Sequence, residues 1–354
     1  MFTCDYAARA LAQARRRSTF HEPAPDRARL TGCLVTAFIL ATCTMMTCRA
    51  AVAHGIAGNR LFPGTLSFDD PAVADEAIVP NVSTLDHPAD GGGQRLEDRI
   101  NWSFSRLLTP TLQVQIDSGW IHQNSPTRQT SGFDATDVGL KYETFRNNQH
   151  ETLVSVGLAW GIGQSGAQAV SADEPNTLQP GIFFGKGFGD LPEWLSWARP
   201  FAVTGAIVDA VPMGPTTKAL APNATTGRFE TVLVPQVQTL HWGFSLQYST
   251  YYLTSRFTGG PPKDEPLNQL VPLVEFSFDS PLGQTTAATM NPGFAYVATT
   301  WQVAGEVIVP LNREGGGGVG LRAQLLLFLD DLLPSVFGKP LLSDRPDRSL
   351  IAWH

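Results

Sequence analysis

The sequence predicts an all-β chain: an antiparallel transmembrane β-barrel of about twelve strands after a cleaved signal peptide. Three observations predict it. Across residues 96–331, apolar side chains alternate with small or polar ones in one stretch after another, and a period of two gives each strand two unlike faces. The first connections between these stretches are short and long in turn, matching the tight periplasmic turns and long outer loops of such barrels. An export leader stands in front.

The leader occupies residues 1–53. Arg9, Arg15, Arg16, Arg17, Arg27 and Arg29 precede an apolar run over 30–48, and Ala51, Val52 and Ala53 supply a small-x-small cleavage site. The rival reading is a retained anchor, since the run approaches spanning length, but its Thr and Cys content and the cleavage site favour removal. Cys4, Cys33, Cys43 and Cys48 all lie here, so the chain beyond residue 53 offers no disulfide, thiol ligand or thiol nucleophile. Beyond residue 53, 18 basic residues face 29 acidic ones, a net of −11, which argues against a nucleic-acid partner. No later run is long enough for a transmembrane helix.

Residues 54–95 read as an irregular lead-in, with Pro63, Pro71, Pro80 and Pro88, the acids Asp69, Asp70, Asp75 and Glu76, and three glycines at 91–93. Such a segment lies in the periplasm or tucks into a lumen. The ladder then begins: Ile100, Trp102 and Phe104 alternate with Asn101, Ser103 and Ser105, and Leu112, Val114 and Ile116 with Gln113, Gln115 and Asp117. After a polar loop over 122–136, Val138, Leu140 and Tyr142 alternate with Gly139, Lys141 and Glu143. A turn at 146–149 leads to Val154, Val156, Leu158, Trp160 and Ile162, set against Ser155, Gly157, Ala159 and Gly161. Residues 164–176 form a second long loop. Strands follow at 182–188 and 201–208, separated by a connector over 191–197 that reads as a short interfacial helix with Trp194 and Trp197 as anchors. After a loop over 209–227 come 229–237, 240–248, 270–278, 294–298, 301–309 and 319–329. The stretch 229–237 carries Pro235, which cannot donate to a ladder, and is included to reach the even count usual for such barrels. Residues 332–354 are a tail after closure.

With the apolar face toward lipid, the other face lines the bore. Its titratable members are Asp117, Lys141, Glu143, His241, Glu275, Glu306 and Arg322. They form either a structural network that fills the bore, since a buried charge wants a partner, or a solute-selective constriction. Glu306 and Arg322 fall on neighbouring strands and are placed to pair. Trp102, Trp120, Trp160, Trp242 and Trp301 on the outer face suit aromatic girdles. Gly161, Gly163 and Gly166 fit a dinucleotide fingerprint by letter only, because no βαβ unit surrounds them. Neither a nucleophile elbow, a phosphate loop nor a histidine pair of metal-ligand spacing is present, so no cofactor, metal or catalytic residue is expected.

The chain resembles a family of bacterial outer-membrane barrels labelled for the MetA-pathway of phenol degradation. The resemblance rests on residues 54–63 with 68–71, the strand 242–248, the run Asn291, Pro292, Gly293 and residues 324–331. It implies an outer-membrane barrel, transporter-like, with a genome-context link to aromatic breakdown. One departure is that the chain runs on to Trp353 and His354 instead of ending on an aromatic closing strand.

The expected function is passive transport of small solutes, aromatic or apolar ones included, by a monomer that meets outer-membrane lipid and the barrel-assembly machinery. The alternatives are a lipid-modifying enzyme, for which His241 and Ser245 share a face, and a structural or adhesive barrel working through its long loops.

Overall fold

In the computed structural model, the described residues are 55–88, 94–126, 128–222, 228–253 and 269–342. The leader, the glycines at 91–93 and the end of the tail lie outside them. A short ribbon, β1 (Ile56–Ala57) and β2 (Arg60–Leu61), comes first, followed by β3 (Glu76–Pro88), β4 (Gln94–Thr109), β5 (Leu112–Ser125) and β6 (Arg128–Phe133). Next are β7 (Thr136–Asn147), β8 (Thr152–Ile162), β9 (Thr177–Gly187), β10 (Phe201–Pro212), β11 (Thr216–Pro222) and β12 (Phe229–Pro235). The set ends with β13 (Thr239–Tyr248), β14 (Gln269–Pro281), β15 (Ala287–Val297), β16 (Trp301–Pro310) and β17 (Gly320–Phe328).

Twelve of these strands form one closed antiparallel ring, β3-β4-β5-β7-β8-β9-β10-β13-β14-β15-β16-β17, in which the last strand pairs with the first. Closure leaves no unpaired edge, the condition for strands to exist in hydrocarbon. The barrel strands run from 9 to 16 residues, and roughly 9–11 tilted residues cross a bilayer. The longer ones project beyond it, where β6 extends β5 and β11 pairs with β12 as a separate hairpin.

Two expectations are corrected. Residues 76–88 are not irregular: Glu76–Pro88 is the first barrel strand. Pro80 hid it. The strand bulges between Ile78 and Asn81 against both of its neighbours, and a bulge is where a residue without an N–H costs no ladder bond. Conversely, Phe229–Pro235 is a strand, but it lies in the outer hairpin and not in the wall. The count of twelve stands with a different twelfth member, and the barrel runs from Glu76 to Phe328.

The outward face is apolar along its middle, where Ile116, Leu140, Leu158, Ile182, Ile207, Phe294 and Leu321 are all exposed, and polar outward side chains such as Arg106 and Lys186 lie near strand ends. Aromatic rings gather near both ends of this belt. Trp242 stacks on Phe278 and Trp120 meets Phe133 edge-on toward the long-loop end, while Phe201 with Tyr248 and Trp301 with Tyr296 lie toward the other. Residues Glu193–Ala198 form a short 3-10 helix at that second end, with Trp194 and Trp197 exposed. No helix among the described residues is long and apolar enough to cross a membrane.

Introducing arginine on the belt at Leu158, near mid-strand, is expected to cost about 2–4 kcal/mol of folding free energy in phospholipid vesicles. The same change at Leu282, in the exposed β14–β15 turn, stays within about 0.5 kcal/mol. Guanidinium titration of folding into vesicles reads both; equal costs would refute lipid contact at Leu158.

Candidate functional site: a plugged lumen

A twelve-stranded ring is wider than a wall's own side chains fill. Here residues 55–75 occupy it. Leu61 and Leu66 pack on Leu273, Val297, Leu326 and Phe328 of one arc of the wall. Phe62 packs on Leu153 and Ala202 of another, and Phe68 on Phe183 and Ala206. Gly243 makes room for this last ring: a Cβ there would lie 2.8 Å from Phe68 Cδ1.

Beyond the short β1–β2 ribbon the segment pairs with no strand, yet its backbone N–H and C=O groups need partners, and wall side chains provide them. Glu275 accepts from the amides of Leu66 (3.0 Å) and Ser67 (2.8 Å), one on each carboxylate oxygen. Gln302 accepts from Gly64 N–H (3.0 Å) and donates to Gly64 C=O (2.7 Å). Asn81 donates to Leu66 C=O, Ser155 to Pro71 C=O, and Gln113 accepts from Ala74 N–H. Ser67 Oγ is a hub: it receives Asn291 Nδ2 (2.7 Å) and Arg322 Nη1 (2.6 Å) and donates to Glu306 Oε1 (3.1 Å). Arg322 also reaches Glu306 directly at 2.6 Å, across the registered pair. Lys141 Nζ clasps both Asp69 oxygens at 2.9 Å and Asp70 C=O at 3.0 Å. The bonds from the two neutral amides to the Glu275 carboxylate are of the stronger, charge-assisted class, each worth about 1.5–3 kcal/mol net.

The root of the plug is fixed at the short-turn end. Arg60, 1% exposed, binds Glu151 at 3.2 Å and the carbonyls of Pro200 and Arg199, and its guanidinium lies over the Tyr252 ring. Burial pulls this guanidinium below its ordinary pKa, and Glu151 opposes the shift. At the other side of the segment, Asp75 accepts from Leu107 N–H and from Arg106 Nη1.

Of the seven lumen residues singled out from sequence, Lys141, Glu275, Glu306 and Arg322 are brought together on the plug. The other three are elsewhere. Asp117 accepts from Gln115 on its own strand. Glu143 binds Arg146 at the short-turn mouth, and Arg146 reaches the carbonyl of Ile56. His241 binds Asp279 Oδ1 at 2.7 Å. Ser245, fully buried, sits four residues along the strand from His241, which at about 3.3 Å per residue is far beyond hydrogen-bond reach; the two do not form a nucleophile–base pair. Sequence reading missed Arg60, Asn81, Ser155, Asn291 and Gln302. The available signal was that Asn291 and Gln302 are amide side chains on the inward rows of their strands, next in row to the small residues Gly293 and Ala304.

Above the plug a vestibule of about 240 Å³ opens toward the long loops. Leu66 and Ser67 form its floor with Arg322 and Asn81, and its walls carry Glu97, Arg99, Gln179, His241, Ser277 and Asp279. The lining mixes hydroxyls, amides and charges of both signs, and Arg99 is held between Glu97 and Asp134.

No protein-family model and no curated protein sequence matches the chain. Solved structures do. An outer-membrane channel from Pseudomonas putida F1 aligns over 76% of this chain and 99% of that one, at 10% identity and a TM-score of 0.45. The β-domain of the Bordetella autotransporter BrkA covers 72% and 99%, at 10% identity and 0.39. CymD, a monoaromatic hydrocarbon channel, covers 72% and 87%, at 11% and 0.34.

Glu275→Ala is expected to strip both amide partners from the plug's tip. Exchange of the Leu66 and Ser67 amides then accelerates by roughly tenfold to hundredfold, the equivalent of about 1–3 kcal/mol. Amide exchange by mass spectrometry on detergent-solubilised protein checks this; unchanged protection would show that Glu275 does not hold the segment.

Proposed function

We propose that the chain is an outer-membrane barrel that passively admits small solutes, with residues 55–75 as an internal plug that narrows the route. The observation that carries this reading is the pairing of a closed wall, girdled outside by an apolar belt, with a polar vestibule that ends on the plug. Solute collects in the vestibule through many weak hydrogen bonds, and passes where the plug leaves space or shifts from the wall. Multiple weak contacts suit conduction, because a site that binds too tightly holds its solute. Nothing in this scheme needs an energy source, so flux follows the gradient.

The first and last of the described residues lie at the short-turn end, and in this reading that end faces the periplasm and the long loops face outside. In this reading the leader is removed on export, the barrel-assembly machinery inserts the chain, and it works as a monomer. Membership among the barrels labelled for the MetA-pathway of phenol degradation is a finer proposal, resting on the motif resemblance alone. The vestibule's lining favours solutes with hydrogen-bonding groups, aromatic acids and phenols among them, over pure hydrocarbons.

Planar-bilayer recording tests the scheme. The intact chain is expected to give small, discrete conductance steps. Removal of residues 55–74 raises them several-fold, and Lys141→Met in the full chain makes the open level noisier without enlarging the bore. Absence of conductance and of solute flux in both the intact and the shortened protein would overturn the channel reading.

A further inference from the structure

We propose that the C-terminal segment after β17 is a foot that seats in the inner phospholipid leaflet, held in place by Arg106; this rests on the membrane reading of the barrel. Two short helices follow the closing strand, α1 (Leu329–Leu332) and α2 (Pro334–Phe337). They do not hang free. Arg106, near the end of β4, donates from Nη2 to the carbonyls of Val336 (3.0 Å) and Lys339 (2.9 Å), and from Nη1 to that of Phe337 (3.1 Å). Its guanidinium also lies 4.9 Å from the Phe337 ring centre. The amides of Leu341 and Leu342 bond to the carbonyls of Leu107 and Leu108.

A segment tied down this firmly still presents its apolar side chains outward. Val336 is 59% exposed, Leu341 60% and Leu342 72%. Three features identify what covers them. Phe337 meets Phe104 edge-on at 6.1 Å, and Phe104 belongs to the outward apolar face of β4, so the foot continues the lipid-facing belt. Its bonds to Leu107 and Leu108 set it level with the last residues of β4 before the turn, where a strand leaves the hydrocarbon. On the far side of the ring, the β9–β10 connection carries Trp194 and Trp197, both exposed, at the same end. A flat, continuous apolar medium meets both sites together; a protein docked on one does not reach the other.

Site-directed spin labelling tests the proposal on the full chain, with Cys4, Cys33, Cys43 and Cys48 replaced by serine and the protein reconstituted in phospholipid vesicles. Nitroxides are placed through Val336→Cys and Leu342→Cys, with Leu140→Cys as the belt reference and Leu282→Cys as the water reference. The expected result is that labels at 336 and 342 collide more with molecular oxygen than with a water-soluble nickel chelate, as at 140 and opposite to 282. Adding Arg106→Ala increases the mobility of the label at 342. Nickel access at 336 and 342 equal to that at 282 overturns the foot, as does protection from both reagents, the signature of a protein partner or a second copy. If the label at 140 also reports water, the membrane reading itself has failed.

Discussion

Hydrocarbon offers no hydrogen-bond partner to a peptide group, and the architecture follows from that constraint. It requires the ring to close, so β17 must find β3. It makes the outward positions apolar and pushes the polar ones inward. It also transmits itself to the interior: once the wall has spent its backbone groups on itself, any segment inside must be satisfied by side chains. That is why Glu275, Gln302, Asn81 and Gln113 point at main-chain atoms of residues 64–74. The inward polar row is the solvent of the plug.

Much of the wall was legible because its signal is periodic and local. Trp242, Phe244 and Leu246 against Gly243, Ser245 and Gln247 state a strand and its two faces without help from the rest of the chain. Glu306 and Arg322 were placed as neighbours by strand order alone, and they pair. The first strand was not legible, because Pro80 interrupts the alternation where the fold absorbs it as a bulge. The plug was not legible for a different reason. Its residues are positioned by contacts from 15 to 255 positions away, such as Asn81 on Leu66, Lys141 on Asp69 and Arg322 on Ser67, and no local period encodes those.

Four acids on or around the inner segment have a cation in reach. Lys141 answers Asp69, Arg322 answers Glu306, Arg60 answers Glu151 and Arg106 answers Asp75. A buried ion pair contributes little net stability, yet losing one partner is costly. These pairs therefore act less as glue than as register marks: Lys141 and Glu151 fix points of the inner segment against the wall, and Arg322 with Glu306 joins two wall strands around Ser67. The apolar contacts of Phe62 and Phe68 then fill the space those points define.

The inner segment runs directly into β3, and β3 is one lip of the seam that shuts the ring. In the closed ring the segment's partners lie on β7, β9, β14 and β16, spread around much of the circumference. The residues that narrow the bore therefore also brace it, as spokes tie distant arcs of a rim to one hub.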